Sequence, residues 1–182
     1  SVLTKSGLNT GVIGTNGVFY NDYEGKTINT TPESYELHKT IREMVDAGVK
    51  CVAMEVSSGG LMMERVNHIG IYTNLSPDHI GPKEHPTFED YRDCKSRLFS
   101  LCRHGIINID DDHASYMIDK ATCDIETFSI KKPSDYRAED ISLTRTKTSL
   151  GVDFKYIRDG QASQTHIASP GEFSVYNALA VI

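Results

Sequence analysis

With 182 residues, 38% hydrophobic and 24% charged, the chain is long enough to bury one sizeable core and too apolar for intrinsic disorder. No apolar run reaches the ~18 residues of a membrane helix, and no basic-then-apolar segment opens the chain, so neither membrane insertion nor a secretion signal is expected. The net charge of −6 argues against nonspecific nucleic-acid binding, which needs clustered Lys and Arg.

The first five residues resemble the last turn of a helix, with Gly7 as its stop. Residues 11–15 read as a short buried strand, and residues 21–26 supply turn residues for a hairpin-like excursion. A helix should follow, with Thr31 as N-cap, Pro32 at the first helical position and Glu33 facing the positive end of the dipole. Its apolar stripe is Leu37, Ile41, Met44 and Val45, and Gly48 closes it. Residues 50–58 form a strand that runs out in Gly59-Gly60. Residues 69–75 form another that runs out in Ser76-Pro77-Asp78-His79.

A second helix opens at Thr87 with Asp90 three residues on, a variant of the capping box, and extends to about Cys102. Residues 105–109 are a buried strand, 111–121 a helix and 124–128 a further strand. This alternation implies a largely parallel sheet flanked by helices. From residue 134 to 169 the texture changes. Short alternating strands at 141–145, 151–156 and 164–168, separated by turns such as Asp159-Gly160, predict a small antiparallel β extension. A last helix begins near Phe173, and the chain stops inside it.

In an open α/β sheet, ligands collect outside the carboxyl ends of the strands. That rule singles out Glu55 and His79 at two strand ends. With Ser57 and Ser58 nearby, their donors suit a hard cation carrying nucleotide phosphates. A structural salt bridge for Glu55 and a solvated loop histidine are the plainer alternatives. Lys95 is four residues after Tyr91 and seven after Phe88, so it shares their inward face. It is either a lysine that snorkels from the edge of that stripe or a partly buried amine of lowered pKa, open to covalent modification or phosphate contact. Asn29-Thr30-Thr31-Pro32 offers two hydroxyls at a helix start, suited to an anion or a polar substrate. Arg65 is either a phosphate partner or a surface residue.

Gly25-Lys26-Thr27 imitates the end of a phosphate-binding P-loop. That motif needs glycine five residues earlier, where Tyr20 stands, so it is rejected. Cys51, Cys94, Cys102 and Cys123 lie far apart in the chain with no C-x-x-C pair. Free, mostly buried thiols in a reducing cytoplasm are expected, and the spacing does not suit a zinc site.

Seven segments occur in an order similar to that of the Mur ligases, most closely the UDP-N-acetylmuramyl-tripeptide synthetases. They are Asn29-Thr30-Thr31-Pro32, Glu55-Val56-Ser57-Ser58, Arg65-Val66, Thr73-Asn74-Leu75-Ser76-Pro77-Asp78-His79, Tyr91-Arg92-Asp93-Cys94-Lys95, Asn108-Ile109-Asp110-Asp111 and Pro170-Gly171-Glu172-Phe173-Ser174-Val175-Tyr176-Asn177.

The resemblance implies a Rossmann-like central domain of a cytoplasmic, ATP-dependent amide-bond ligase that adds the third amino acid to a UDP-N-acetylmuramyl-peptide. ATP and Mg2+ would be its cofactors, and an acyl phosphate its intermediate. Glu55 and His79 then match magnesium ligands, and Lys95 matches a lysine carbamylated in many members. Asn29, Thr30, Thr31, Ser57 and Arg65 fall in segments that hold the UDP-linked substrate, and Asn177 matches an asparagine that meets adenine. Two departures stand out. Gly59 replaces a usual histidine, and Ser174 replaces the first asparagine of the adenine segment. The family's P-loop would lie just before Ser1 and its amino-acid-binding domain after Ile182, so the chain alone is expected to be inactive.

Two alternatives use the same residues. One is a folylpolyglutamate- or cyanophycin-synthetase-like ligase, against which the paired serines and Asn29-Thr30-Thr31-Pro32 argue. The other is a degenerate domain that only binds a nucleotide sugar, which Gly59 and the lack of a P-loop favour.

Overall fold

Helices alternate with two β-sheets in a computed structural model that describes residues 2–64, 68–78, 80–81, 84–146 and 150–182. The chain divides into two compact units, residues 1–66 and 67–182.

The first unit contains α1 (Val2–Lys5), β1 (Thr10–Gly14), β2 (Gly17–Tyr20), β3 (Tyr23–Gly25), α2 (Ser34–Asp46), β4 (Cys51–Met54) and α3 (Ser58–Met62). Its sheet has the order β3-β2-β1-β4. β1 pairs antiparallel with β2 and parallel with β4, in the register Ile13↔Met54. Ile13, Val18, Leu37, Met44 and Val49 form the core between sheet and α2. The expected apolar stripe of α2 is only half used, since Leu37 and Met44 are buried while Ile41 and Val45 are exposed. Gly48, at φ +81°, ends the helix as expected, in the left-handed conformation that glycine adopts without steric cost.

The start of α2 differs from expectation. The N-cap is Glu33, not Thr31, and it makes no side-chain capping bond. Thr31 is buried, and its hydroxyl is engaged across the unit with the residues that follow β4. A long-range pair of hydrogen bonds has displaced the local cap. β4 is also shorter than the strand expected over 50–58, because Ser57 caps α3 and turns the chain there.

The second unit contains β5 (Ile69–Tyr72), α4 (Phe88–Ser96), α5 (Leu98–Leu101), β6 (His104–Asn108), α6 (Ala114–Lys120), β7 (Asp124–Ser129), β8 (Tyr136–Arg145), β9 (Leu150–Arg158), β10 (Gln161–Ile167) and α7 (Glu172–Leu179). Its six-stranded sheet runs β10-β9-β8-β7-β6-β5. β5 to β8 are parallel, and β8, β9 and β10 pair antiparallel. The largely parallel α/β sheet and its antiparallel portion are therefore both present.

The capping box at Thr87 is complete: Asp90 N–H donates to Thr87 Oγ1 and Thr87 N–H to Asp90 Oδ2, each at 3.1 Å. The helix expected to reach Cys102 divides at Arg97 into α4 and α5. β8 begins at Tyr136, ahead of the expected 141, because Tyr136 and Arg137 pair with β7 on one side and with Arg158 and Ile157 of β9 on the other. The β8–β9 pairing is interrupted by a bulge between Glu139 and Ser142, where Asp140 has φ +52°. Asp159 and Gly160, both at positive φ, form the two-residue hairpin turn that their sequence signals. α7 closes at Leu179, so the helix ends short of the final residues instead of continuing through them.

Two clusters fill this unit. Phe99, Ile107 and Met117 centre one of them, and Phe128, Phe154 and Val175 the other. No helix among the described residues is long and apolar enough to cross a membrane.

Candidate functional site

In the first unit, parallel pairing of β1 with β4 brings Thr15 alongside Glu55. Glu55 N–H donates to Ile13 O at 2.9 Å, continuing the ladder one step past the strand. The Glu55 side chain then turns back over β1. Its Oε2 accepts from both the backbone N–H and the hydroxyl of Thr15, each at 2.9 Å. Thr15 Oγ1 also lies 3.0 Å from Thr30 Oγ1. Gly14 leaves the room for this, since a Cβ there would stand 2.9 Å from Glu55 Oε2.

Glu55 is exposed, so burial does not force it to find a partner. The protein instead fixes one carboxylate oxygen by two hydrogen bonds and leaves the carboxylate facing solvent among hydroxyl oxygens. That donor set, all oxygen with one anionic charge, fits a hard divalent cation such as Mg2+.

The adjoining segment is organised by Thr31. Its hydroxyl donates to Glu55 O at 3.1 Å and accepts from Ser57 N–H at 2.9 Å. Ser57 Oγ in turn accepts from Gly60 N–H at 3.2 Å, capping α3. Gly60 packs against Thr31 so closely that a Cβ would lie 2.7 Å from Thr31 Cγ2. Thr30, Thr31, Glu55 and Ser57 are thus brought together in one hydrogen-bonded cluster, with exposed Asn29 beside it in the same loop. Gly59 has open space around it, the nearest atom to a built Cβ being Ser57 Oγ at 3.9 Å.

Thr15 was not singled out by the sequence. The available signal was a hydroxyl residue just past the strand that would lie parallel to the one ending at Glu55. His79 and Arg65 lie outside the described residues.

In the second unit, Lys95 is half-buried on α4, with Nζ 5.5 Å from the centre of the Tyr91 ring. Tyr91 is buried, which pushes its phenol pKa up, with the nearby Asp78 carboxylate adding to the effect. The inward placement expected for Lys95 is what the helix delivers. The Arg92 guanidinium, 3.8 Å from the centre of the Tyr116 ring, ties α4 to α6.

Asn177 is exposed on α7, and the residue before it anchors that helix. Tyr176 OH donates to Asp110 Oδ2 at 3.0 Å. Asp110 also accepts from Ser129 Oγ at 2.7 Å, Ile130 N–H at 2.8 Å and Lys131 N–H at 3.2 Å. Burial pushes the Asp110 pKa up, but these donors outweigh it and hold the carboxyl below its usual range. The Tyr176 phenol is pushed up, first by burial and then by its bond to Asp110. Asp111 plays a similar part beside it, accepting from Tyr72 OH at 2.5 Å and Leu75 N–H at 3.1 Å. Those bonds hold Asp111 ahead of α6, which begins only at Ala114. Ser174 bonds within its own turn, donating to Pro170 O at 3.0 Å and lying 2.9 Å from Ser169 Oγ.

The model of the Mur ligase middle domain matches residues 1–182. A UDP-N-acetylmuramoyl-L-alanyl-D-glutamate–2,6-diaminopimelate ligase of Clostridium perfringens is 40% identical over 191 aligned positions. A second such ligase, from Clostridium acetobutylicum, is 39% identical over 188. Each alignment takes in 100% of this chain and 38% of the relative, so the chain spans well under half the length of these proteins. A solved structure of a ligase of the same name superposes with a TM-score of 0.84 at 27% identity, over 98% of this chain and 37% of that one. The chain belongs to the Mur ligase middle-domain family.

Proposed function

We propose that this chain is the central domain of an ATP-dependent ligase that joins 2,6-diaminopimelate to UDP-N-acetylmuramoyl-L-alanyl-D-glutamate, the reaction in the names of its curated relatives. The observation that carries the reading is the clamped Glu55 carboxylate, held at one oxygen by both donors of Thr15 at a strand's carboxyl end. In such a reaction the substrate carboxylate takes the γ-phosphoryl group of ATP, and the incoming amine then displaces phosphate from the acyl phosphate. Glu55 and His79, the magnesium ligands that the family resemblance implies, would each offer a donor to Mg2+, which would screen the phosphate charge.

The chain's own residues have separable tasks. Thr15 fixes the rotamer of Glu55, so its free oxygen is oriented before any ligand arrives. Thr30 shares a hydroxyl contact with Thr15 and links the carboxylate to the substrate segment that also holds Asn29. Thr31 locks that segment to the turn carrying Ser57, and Arg65 supplies positive charge for the substrate's phosphates. Lys95, half-buried beside Tyr91, would form a carbamate with carbon dioxide, an N–C bond made with release of one proton. The resulting carbamate would give α4 an anionic oxygen donor of its own. Asn177, on a helix anchored through Tyr176, meets the adenine.

The test is ADP release by the full-length protein that contains this chain, with each substrate omitted in turn. Release should require UDP-N-acetylmuramoyl-L-alanyl-D-glutamate, diaminopimelate and Mg2+ together. Glu55→Gln should lower kcat by about 10²-fold or more, the scale of losing one preorganised electrostatic contact in a transition state. Turnover with a folate or a cyanophycin-type acceptor instead, or nucleotide-sugar binding with no turnover, would overturn the assignment.

A further inference from the structure

Two of the four thiols meet in the fold although 21 positions separate them in sequence: Cys102 Sγ and Cys123 Sγ are 3.5 Å apart. Cys102 follows α5 and Cys123 precedes β7, so both stand at the amino ends of neighbouring parallel strands. The backbone already ties these segments together, with Thr122 N–H donating to Phe99 O at 3.1 Å. On the far side, Gly70 of β5 leaves space for the Cys102 sulfur, since a Cβ there would lie 3.0 Å from it. Cys102 is buried and Cys123 is half-buried, so Cys123 is the more open of the two to a small solute. A disulfide requires the sulfurs to close to about 2.05 Å, which is a side-chain adjustment and not a rearrangement of strands.

We propose that Cys102 and Cys123 are a reversible thiol–disulfide site, oxidised by peroxide and reduced by small dithiols. In the first step the Cys123 sulfur attacks hydrogen peroxide, forming Cys123 sulfenic acid and releasing one water. In the second, the Cys102 sulfur attacks that sulfenic sulfur, its proton leaving with the hydroxyl as a second water. Two thiols are oxidised, one peroxide is reduced, and no other reactant is consumed.

The Cys102 thiol is pushed up to about 11 by burial, then by its hydrogen bond to Cys123. The second step is therefore slow at neutral pH and accelerates as pH rises. The location matters as well. Ligands of such sheets gather at the carboxyl ends of the strands, and the six residue steps from Cys102 to the end of β6 put its thiol up to roughly 20 Å from that end at ~3.3 Å per residue. The disulfide should stiffen the unit without entering the ligand face.

The experiment uses the 182-residue protein and hydrogen peroxide, followed by alkylation, intact mass and peptide mapping. The expected product has lost about 2 Da, the two thiol hydrogens. It retains two alkylatable thiols, Cys51 and Cys94, and yields a peptide cross-linked between Cys102 and Cys123. Dithiothreitol should restore all four thiols, and the rate of cross-linking should rise with pH between 7 and 9. Cys123→Ser should abolish the cross-link and leave the remaining three thiols alkylatable after the same treatment. If buried Cys102→Ser fails to fold, Cys123→Ser and the wild-type map decide the question without it. Oxidation of Cys123 to sulfinic or sulfonic acid with no cross-link, or a cross-link involving Cys51 or Cys94, overturns the proposal.

Discussion

The hydroxyl of Thr31 is the joint of the first unit, and Thr31→Val tests it by removing the oxygen while keeping the shape. The side chain is 2% exposed and the two bonds it makes to Glu55 O and Ser57 N–H are part-buried, so water replaces them only in part. Each buried group left without a partner costs about 1–3 kcal/mol. The Glu55 carbonyl has a second lone pair and the loop can relax somewhat, so the lower half of the sum applies, about 2–4 kcal/mol. Thr31→Ser keeps the oxygen and loses the methyl that packs on Gly60, which costs about 1 kcal/mol. The two variants therefore separate the hydroxyl from the methyl. In urea, with m of about 1–3 kcal/mol/M, the valine variant should unfold roughly 1–2 M earlier than wild type. Amide exchange at Ser57 offers a local check. Losing about 2–4 kcal/mol of protection should speed it by roughly 30- to 1,000-fold. Equal midpoints for the valine and serine variants would refute the reasoning, because the methyl would then carry the whole effect.

The adjacent glycines should respond in opposite ways in the same urea assay. Gly60→Ala drives a Cβ into Thr31 and should destabilise by about 1–3 kcal/mol, the usual cost of overpacking. Gly59→Ala meets open space and should be neutral or stabilising by up to about 1 kcal/mol. Asp110→Asn should lower the thermal midpoint near pH 7. A carboxyl whose folded-state pKa is depressed contributes stability above the unfolded pKa and loses it as pH falls through the folded value. Thermal scans from pH 7 to 2 should therefore show the gap to wild type closing below about pH 3.9, and a gap unchanged at pH 2 would exclude the charge as its cause. Finally, the 182-residue chain alone should release no ADP above a Lys95→Ala control, measured by a coupled assay with all substrates present.

The sequence was most legible where structure is local. Thr87 and Asp90 cap a helix with atoms three residues apart, and Asp159-Gly160 makes a hairpin from its own backbone preferences. It was least legible where two distant segments compete for one group. Thr31-Pro32-Glu33 carries the features of a helix start, yet the Thr31 hydroxyl bonds to residues 24 and 26 positions away. Thr15 stands 40 positions from Glu55, and no periodicity connects them. The start of β8 was hidden for a related reason. Tyr136 and Ala138 are buried and alternate with half-buried Arg137 and Glu139 where β8 starts between β7 and β9, an alternation of only four residues before the bulge. Glu55 was found by position at a strand end and Lys95 by helical spacing, while their chemical roles came from the family resemblance.

The geometry at Glu55 also explains why folding and function can be separated there. The same parallel register that builds the sheet brings Gly14 and Thr15 of one segment against the carboxylate of the other. A Cβ at Gly14 would stand 2.9 Å from Glu55 Oε2 and 3.2 Å from Glu55 Cβ, so a methyl there would displace the carboxylate and press on the root of the side chain. The ladder bond from Glu55 N–H to Ile13 O does not use the carboxylate, so displacing the carboxylate alone leaves the pairing of β1 and β4 its own bonds. The orientation of the carboxylate would be lost, because its two hydrogen bonds both require the present rotamer. Nothing in the stability of the unit demands that an exposed glutamate be held so firmly, since a solvated carboxylate would cost little. Two donors spent on one exposed oxygen fit the proposed cation site at the other oxygen better than a structural salt bridge.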